Sequence, residues 1–196
     1  MQVCLQITGI HEEKLLAHAK VVSSHGWKYG WPMSTRGATP ADLDAIAEIY
    51  AHYVATSVAT FELDPPDAAE WRRRFAAITD AGLPFLVTER DGAIAGYGYC
   101  GPWKSRPAYR ATVEDSVYVA PSAIGKGCGT ELVRDLLDAC SAAGVREVIA
   151  VIADTGDPAS VELHRRCGFV DAGRLTRVGF KHGRYVDTLL LQRTLA

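Results

Sequence analysis

The sequence predicts an α/β (α+β) fold in which a mixed sheet is flanked by helices. Three observations carry that prediction. Between Ser116 and Gly144 a strand-like run, a glycine-rich loop and a long amphipathic helix follow one another without a break. At Arg90-Asp91-Gly92 two β-rich runs meet at a dipeptide favoured in tight hairpins. Elsewhere helical and strand-like segments alternate, with hairpin-like spacing in the middle of the chain, which gives a mixed sheet.

The chain of 196 residues suits one domain with a substantial core, at 48% hydrophobic and 22% charged. A net charge of −2 argues against a nucleic-acid-binding surface, though not against a local basic pocket. Cys4, Cys100, Cys128, Cys140 and Cys167 form no C-x-x-C pair, so neither a metal site nor a disulfide framework is expected. Scattered thiols suit a reducing cytoplasm. No apolar run approaches the roughly 20 residues of a membrane helix. The expectation is a soluble cytoplasmic protein without membrane or nucleic-acid partners.

Residues 1–32 do not read like the rest. Ile10–Val22 could form a short helix, Ser23 to Pro32 has no period, and Glu12, Glu13 and Lys14 exclude a signal peptide. We read 1–32 as an N-terminal extension, either a misassigned upstream start or an arm that packs on a partner through Trp27, Tyr29 and Trp31. Residues 33–196 are then the domain.

Thr39-Pro40-Ala41-Asp42 is a helix start, with a threonine N-cap, proline at N1 and an acid at N3. Leu43, Ile46, Ile49, Tyr50 and Val54 line one face of the helix that follows. The period is lost at Thr56–Phe61. Asp64-Pro65-Pro66-Asp67 turns the chain into a second helix through Trp71, Phe75 and Ile78, ended by Gly82. Phe85–Glu89 and Ala93–Cys100 are the hairpin strands. Gly101 to Arg110 holds Pro102 and Pro107 among Trp, Tyr and cations, and reads as a loop, either solvated surface or ligand wall. Thr112–Val119 is the central strand. After Gly144 come a buried strand at Glu147–Ile152, a turn at Asp154–Pro158 and a short helix at Ala159–Cys167. Strands at Phe169–Val178 and Tyr185–Leu191 close the chain about a turn at Lys181–Arg184.

Pro121 stops the central strand, and Gly125-Lys126-Gly127-Cys128-Gly129 leads into the long helix. There Leu132, Val133, Leu136, Leu137 and Cys140 recur at helical spacing. A strand, a glycine turn and a helix N-terminus aim free amides at an anion. The same glycines also serve as a plain turn. Spelling excludes two phosphate loops: Ala120 and Gly127 break the Walker A pattern, and Leu132 stands where a dinucleotide fingerprint needs its third glycine.

What remains resembles the acetyl-CoA loop of the GNAT superfamily of N-acetyltransferases. The resemblance implies acetyl-CoA as cosubstrate, with Gly125, Lys126, Gly127, Gly129 and Thr130 around its pyrophosphate and Val117, Tyr118 and Val119 along its pantetheine arm. Ile124 departs from the usual Gln or Arg, and Lys126 either supplies the missing charge or is simply solvated. Three further stretches narrow the likeness over residues 35–193. Gly101-Pro102-Trp103-Lys104-x-Arg106-x-x-Tyr109, Val113-Glu114-Asp115-Ser116-Val117-Tyr118-Val119 and Gly179-Phe180-Lys181-His182-Gly183 are similar to the phosphinothricin/methionine-sulfoximine acetyltransferases. That implies a single domain with the mostly antiparallel, twisted GNAT sheet, a small amine-bearing amino acid as substrate, and a homodimer.

Acetyl transfer to an amine needs a base for the ammonium proton and a donor that polarises the thioester carbonyl. The resemblance makes Glu114 the base, and the donor an amide near Tyr118 or Val119. His164 stands where many members have a tyrosine as thiolate acid; Ser160 matches a position near the cofactor, and Asp157 replaces the usual asparagine. Phe61, Lys104, Arg106 and Tyr109 fit the acceptor pocket, where a guanidinium can hold a carboxylate or phosphinate in two parallel bonds. Each residue also has a plainer reading. Glu114 could pair with Arg110 on the surface, His164 could be a packed core histidine, and Lys104 with Arg106 could serve solubility. Two other functions stay open: an acetylase of protein N-termini or lysines, and a CoA-binding regulatory module without catalysis.

Overall fold

The computed structural model describes residues 34–196, so the extension and the helix expected at Ile10–Val22 lie outside it. Seven strands are described: β1 (Ser34–Gly37), β2 (Phe85–Arg90), β3 (Ala93–Pro102), β4 (Thr112–Val119), β5 (Glu147–Ala153), β6 (Val170–Lys181) and β7 (Arg184–Thr194). They form one sheet in the order β1-β2-β3-β4-β5-β7-β6, antiparallel except for the β4–β5 pair. The helices are α1 (Leu43–Thr56), α2 (Ala68–Asp80), α3 (Cys128–Ala142) and α4 (Ala159–Arg166). This is the expected mixed, mostly antiparallel architecture. Among the described residues no helix is long and apolar enough to cross a membrane.

Local chemistry accounts for most boundaries. The Thr39 amide donates to Asp42 Oδ2 at 2.7 Å, closing a 3-10 turn at Pro40–Asp42 that runs into α1. Asp67 caps α2 by accepting from the Glu70 amide at 2.8 Å. Asp91 and Gly92 both take positive φ, 55° and 78°, the geometry of a two-residue hairpin turn. At the end of α3, Gly144 donates to Ser141 and Val145 to Cys140, each at 3.0 Å, satisfying carbonyls that the helix leaves open.

The sheet carries a packed core on each face, while its edge strand β6 is largely exposed. One core cluster gathers Val113, Leu132, Leu136, Val148 and Leu191 with α3 and α4; the other gathers Ile46, Tyr50, Trp71, Val87 and Tyr97 with α1 and α2. The run Gly96-Tyr97-Gly98-Tyr99 on β3 shows how one strand serves both. Its tyrosines join the aromatic stack on the α1/α2 side, whereas a Cβ at Gly96 would lie 3.1 Å from Leu132 Cδ1 on α3. Strand alternation thus lets the helix behind the glycine loop seat directly on the sheet.

One strand was missed and two expectations need correction. Strand β1 was not read from the sequence; it is a four-residue edge strand whose evidence is its pairing with β2, from Ser34↔Glu89 to Gly37↔Leu86. The loop expected from Gly101 starts later, because Gly101 and Pro102 still pair with Glu114 and Val113 at the end of β3. A proline is tolerated at such a terminus, and Pro107–Tyr109 beyond it forms a 3-10 turn. The last two strands are longer than predicted, because β6 carries irregularities at Asp171/Gly173 and Leu175/Gly179 that break its alternation.

Candidate active site

The site begins where β4 and β5 part. Their parallel pairing runs from Thr112↔Glu147 to Asp115↔Ala150 and stops there, although β4 continues to Val119 and β5 to Ala153. The last four residues of β4 therefore bond to β3 alone. The Ala120 amide crosses to Ala95 on the β3 side at 2.8 Å, so by alternation Val117 and Val119 turn their amides toward the open edge. The Val119 carbonyl on that edge accepts from the Tyr53 hydroxyl of α1 at 2.6 Å. Of the two residues expected to polarise a carbonyl, Val119 has the free amide; Tyr118 turns its amide toward β3 and stacks its ring on Tyr97, with centroids 5.4 Å apart.

Directly after this open edge comes the glycine turn. Gly125 and Gly127 take φ of 75° and 88°, a left-handed conformation that side-chain-bearing residues rarely adopt. Gly127 is the N-cap of α3, and its carbonyl accepts from the amides of Thr130 and Glu131 at 3.1 and 3.2 Å. The first backbone amides of the helix point out of its N-terminus, as at the start of any α-helix. Lys126 is exposed, and its carbonyl accepts from Arg90 at 3.4 Å. A free strand edge, a glycine turn and the N-terminus of a 15-residue helix in series fit the pantetheine arm and pyrophosphate of acetyl-CoA.

Glu114 and His164 lie on opposite faces of β4. Glu114 shares its face with Ser116 and Tyr118, and Tyr118 meets Tyr50 of α1 edge-on at 5.0 Å. Its neighbour across the strand pair is Gly101, which leaves open space beside the carboxylate. Burial and then the nearby Asp115 charge push the Glu114 carboxyl above its usual range, against the pull of Lys104. Among the described residues Glu114 has no ion-pair partner, so the surface pairing with Arg110 does not form.

Asp115, one residue on, faces α4. Its Oδ2 lies 3.0 Å from His164 Nε2, while His164 Nδ1 lies 2.7 Å from the Ser160 carbonyl. A carbonyl only accepts, so Nδ1 carries a proton. Burial works against charging this imidazole, but the Asp115 bond and charge, with the Ser160 carbonyl, outweigh it and raise its pKa. Both ring nitrogens of this buried histidine are therefore engaged, and Phe169 packs edge-on against the ring at 5.0 Å. The sequence reading missed Asp115. Its signal was the adjacency Glu114-Asp115, which on a strand sends the two carboxylates to opposite faces.

The acceptor candidates come from two directions. Lys104, Arg106 and Tyr109 lie on the exposed β3–β4 connection; Lys104 Nζ sits 4.8 Å from the Trp103 ring centroid, and the Tyr109 amide bonds the Arg106 carbonyl at 2.9 Å. Phe61 lies in the α1–α2 connection with its ring against Gly179 of β6.

Comparison with known proteins agrees with this geometry. The acetyltransferase (GNAT) family model matches residues 46–169. The phosphinothricin N-acetyltransferase of Alcaligenes faecalis is 53% identical over 154 residues, covering 79% of this chain and 78% of its own. The L-methionine sulfoximine/L-methionine sulfone acetyltransferase of Pseudomonas paraeruginosa is 37% identical over 163 residues, covering 83% of this chain and 94% of its own. Among solved structures, a GNAT phosphinothricin acetyltransferase from Sinorhizobium meliloti in complex with acetyl-CoA superposes with a TM-score of 0.81 at 45% identity. It covers 84% of this chain and 89% of its own. The chain belongs to the acetyltransferase (GNAT) family. It is an acetyl-CoA-dependent N-acetyltransferase.

Proposed function

We propose that the acceptor is the amine of a small amino-acid-like molecule of the phosphinothricin, methionine sulfoximine or methionine sulfone type. The observation that carries this reading is Glu114. It is a half-buried carboxylate, without an ion-pair partner among the described residues and raised above its usual pKa, beside a gap at Gly101 and next to the Lys104–Tyr109 connection. The names of the relatives support the same substrate class.

In this reading Glu114 takes a proton from the acceptor ammonium, directly or through one water, and the neutral nitrogen attacks the thioester carbon of acetyl-CoA. The amide of Val119 polarises the thioester oxygen. The N–C bond forms and the C–S bond breaks, and the second proton that the nitrogen sheds on becoming an amide passes through solvent to the departing thiolate, which leaves as the CoA thiol. A raised pKa suits the base, because a carboxylate of higher proton affinity accepts a proton more readily. Arg106 and Lys104 bind the acceptor's carboxylate or phosphinate, and Phe61 meets its apolar part. The Asp115-bound His164 has no nitrogen free to reach a sulfur, so we assign it to holding α4 against β4, with Ser160 beside the cofactor arm. Gly125, Lys126, Gly127, Gly129 and Thr130 surround the pyrophosphate.

We also propose that the protein works in the cytoplasm as a homodimer. Exposed Val170, Leu175, Val178, Phe180 and Tyr185 on the edge hairpin support a second copy as partner. The substrate assignment is tested by thiol release from acetyl-CoA with phosphinothricin, methionine sulfoximine, methionine sulfone, ordinary amino acids and a peptide amine. Turnover on the first three at least about tenfold above the rest is expected, a margin worth about 1.4 kcal/mol in the barrier. Preference for the peptide amine would overturn it.

A further inference from the structure

Lysine is almost never fully buried unless it is paired. Lys181, at the end of β6, is 2% exposed, and its ammonium donates to the Thr60 carbonyl at 2.9 Å across 121 residues of sequence. Burial lowers its pKa, partly offset by the charge of Glu62. Two residues back on the same face of the strand is Gly179. A Cβ there would lie 2.6 Å from Cζ of Phe61 and 2.8 Å from two further ring atoms, so the ring rests directly on the glycine backbone.

The segment these residues touch is held residue by residue. The Thr60 hydroxyl meets the Tyr50 hydroxyl at 2.6 Å, and Glu62 pairs with Arg74 of α2 at 2.7 Å. Tyr50 in turn packs on Tyr118 of β4. A cleft of about 430 Å³ opens between the chain just before this segment, Ala55–Val58, and the hairpin turn residues His182 and Arg184. Thr155 of the β5–α4 turn completes the lining, and the cleft thus borders both of the pieces that Lys181 ties together.

We propose that Lys181 and Gly179 are positioning residues for the acceptor: the β6–β7 hairpin clamps Thr60 and seats the Phe61 ring, and so sets acceptor affinity. This rests on the assignment of a small amino-acid-like acceptor. Neither residue touches acetyl-CoA or Glu114 in this account, so their loss acts on one substrate only.

The test uses the full chain and two variants. Lys181→Met keeps the length and apolar stem but removes the donor; Gly179→Ala leaves the charge and displaces the ring. Both are expected to raise the acceptor KM about tenfold or more, in Lys181→Met the size of one lost charge-assisted hydrogen bond, while the acetyl-CoA KM stays within about twofold. Hydrogen exchange followed by mass spectrometry is expected to quicken at residues 57–63 in Lys181→Met. An unchanged acceptor KM in a folded variant, or a parallel rise in the acetyl-CoA KM, would overturn the proposal. If Lys181→Met fails to fold, Gly179→Ala decides the matter alone. Should the wild-type protein acetylate none of the amino-acid acceptors, the substrate assignment fails, and exchange at 57–63 still judges the clamp.

Discussion

The base role proposed for Glu114 requires it to be ionised, and its environment pulls its proton affinity two ways. Burial and Asp115 raise it; Lys104 lowers it. Replacing Lys104 by Gln therefore lets the Glu114 pKa rise further. The acid limb of kcat/KM against pH, where Glu114 takes up its proton and stops working, is expected to move to higher pH. A profile that keeps its midpoint would show that Lys104 does not act on the base. Glu114 could be singled out as a candidate in the sequence because the motif that carries the family resemblance there is local. The bonds from Asp115 to His164 and from Lys181 to Thr60 were not, because they join residues 49 and 121 apart that only the folded sheet brings together.

At the scale of elements, the strand, glycine turn and helix between Ser116 and Gly144 were readable because each boundary carries its own chemistry. Pro121 ends a strand, Gly127 takes a φ of 88° at the helix N-cap, and Gly144 closes the helix at 81°. Strand β1 has no such signal: Ser34-Thr35-Arg36-Gly37 shows no apolar alternation and is held by its ladder to β2. The Gly127 conformation makes a direct prediction. Gly127→Ala is expected to cost about 1–2 kcal/mol of stability, the steric penalty of a Cβ in the left-handed region. It should also weaken acetyl-CoA binding, because the first amides of α3 are aimed from that residue. Thermal unfolding together with calorimetric titration of acetyl-CoA would measure both, and an unchanged affinity would remove the turn from the cofactor site.

For the whole molecule, two features give the site its form. This sheet, antiparallel on both sides of its single parallel pair, parts at that pair beyond Asp115 and Ala150, which leaves the Val117 and Val119 amides without a strand partner. The arrangement of strands around that split was not readable from periodicity; it entered through the family resemblance. The apolar edge hairpin is the other feature. Sedimentation is expected to give the mass of two chains, and Val178→Asp, which puts a charge among exposed apolar neighbours, to give one. A monomeric wild-type protein would remove the homodimer from the account.

The central claim is that a half-buried glutamate on the splitting strand drives acetyl transfer. The measurement that bears on it most directly is the turnover number of Glu114→Gln, taken together with its Kd for acetyl-CoA. General-base catalysis is worth about 10²–10⁴-fold, so kcat is expected to fall by that order while the Kd stays unchanged. A variant that turns over within about twofold of wild type would contradict the claim, because an amide cannot take the proton that the mechanism assigns to this residue.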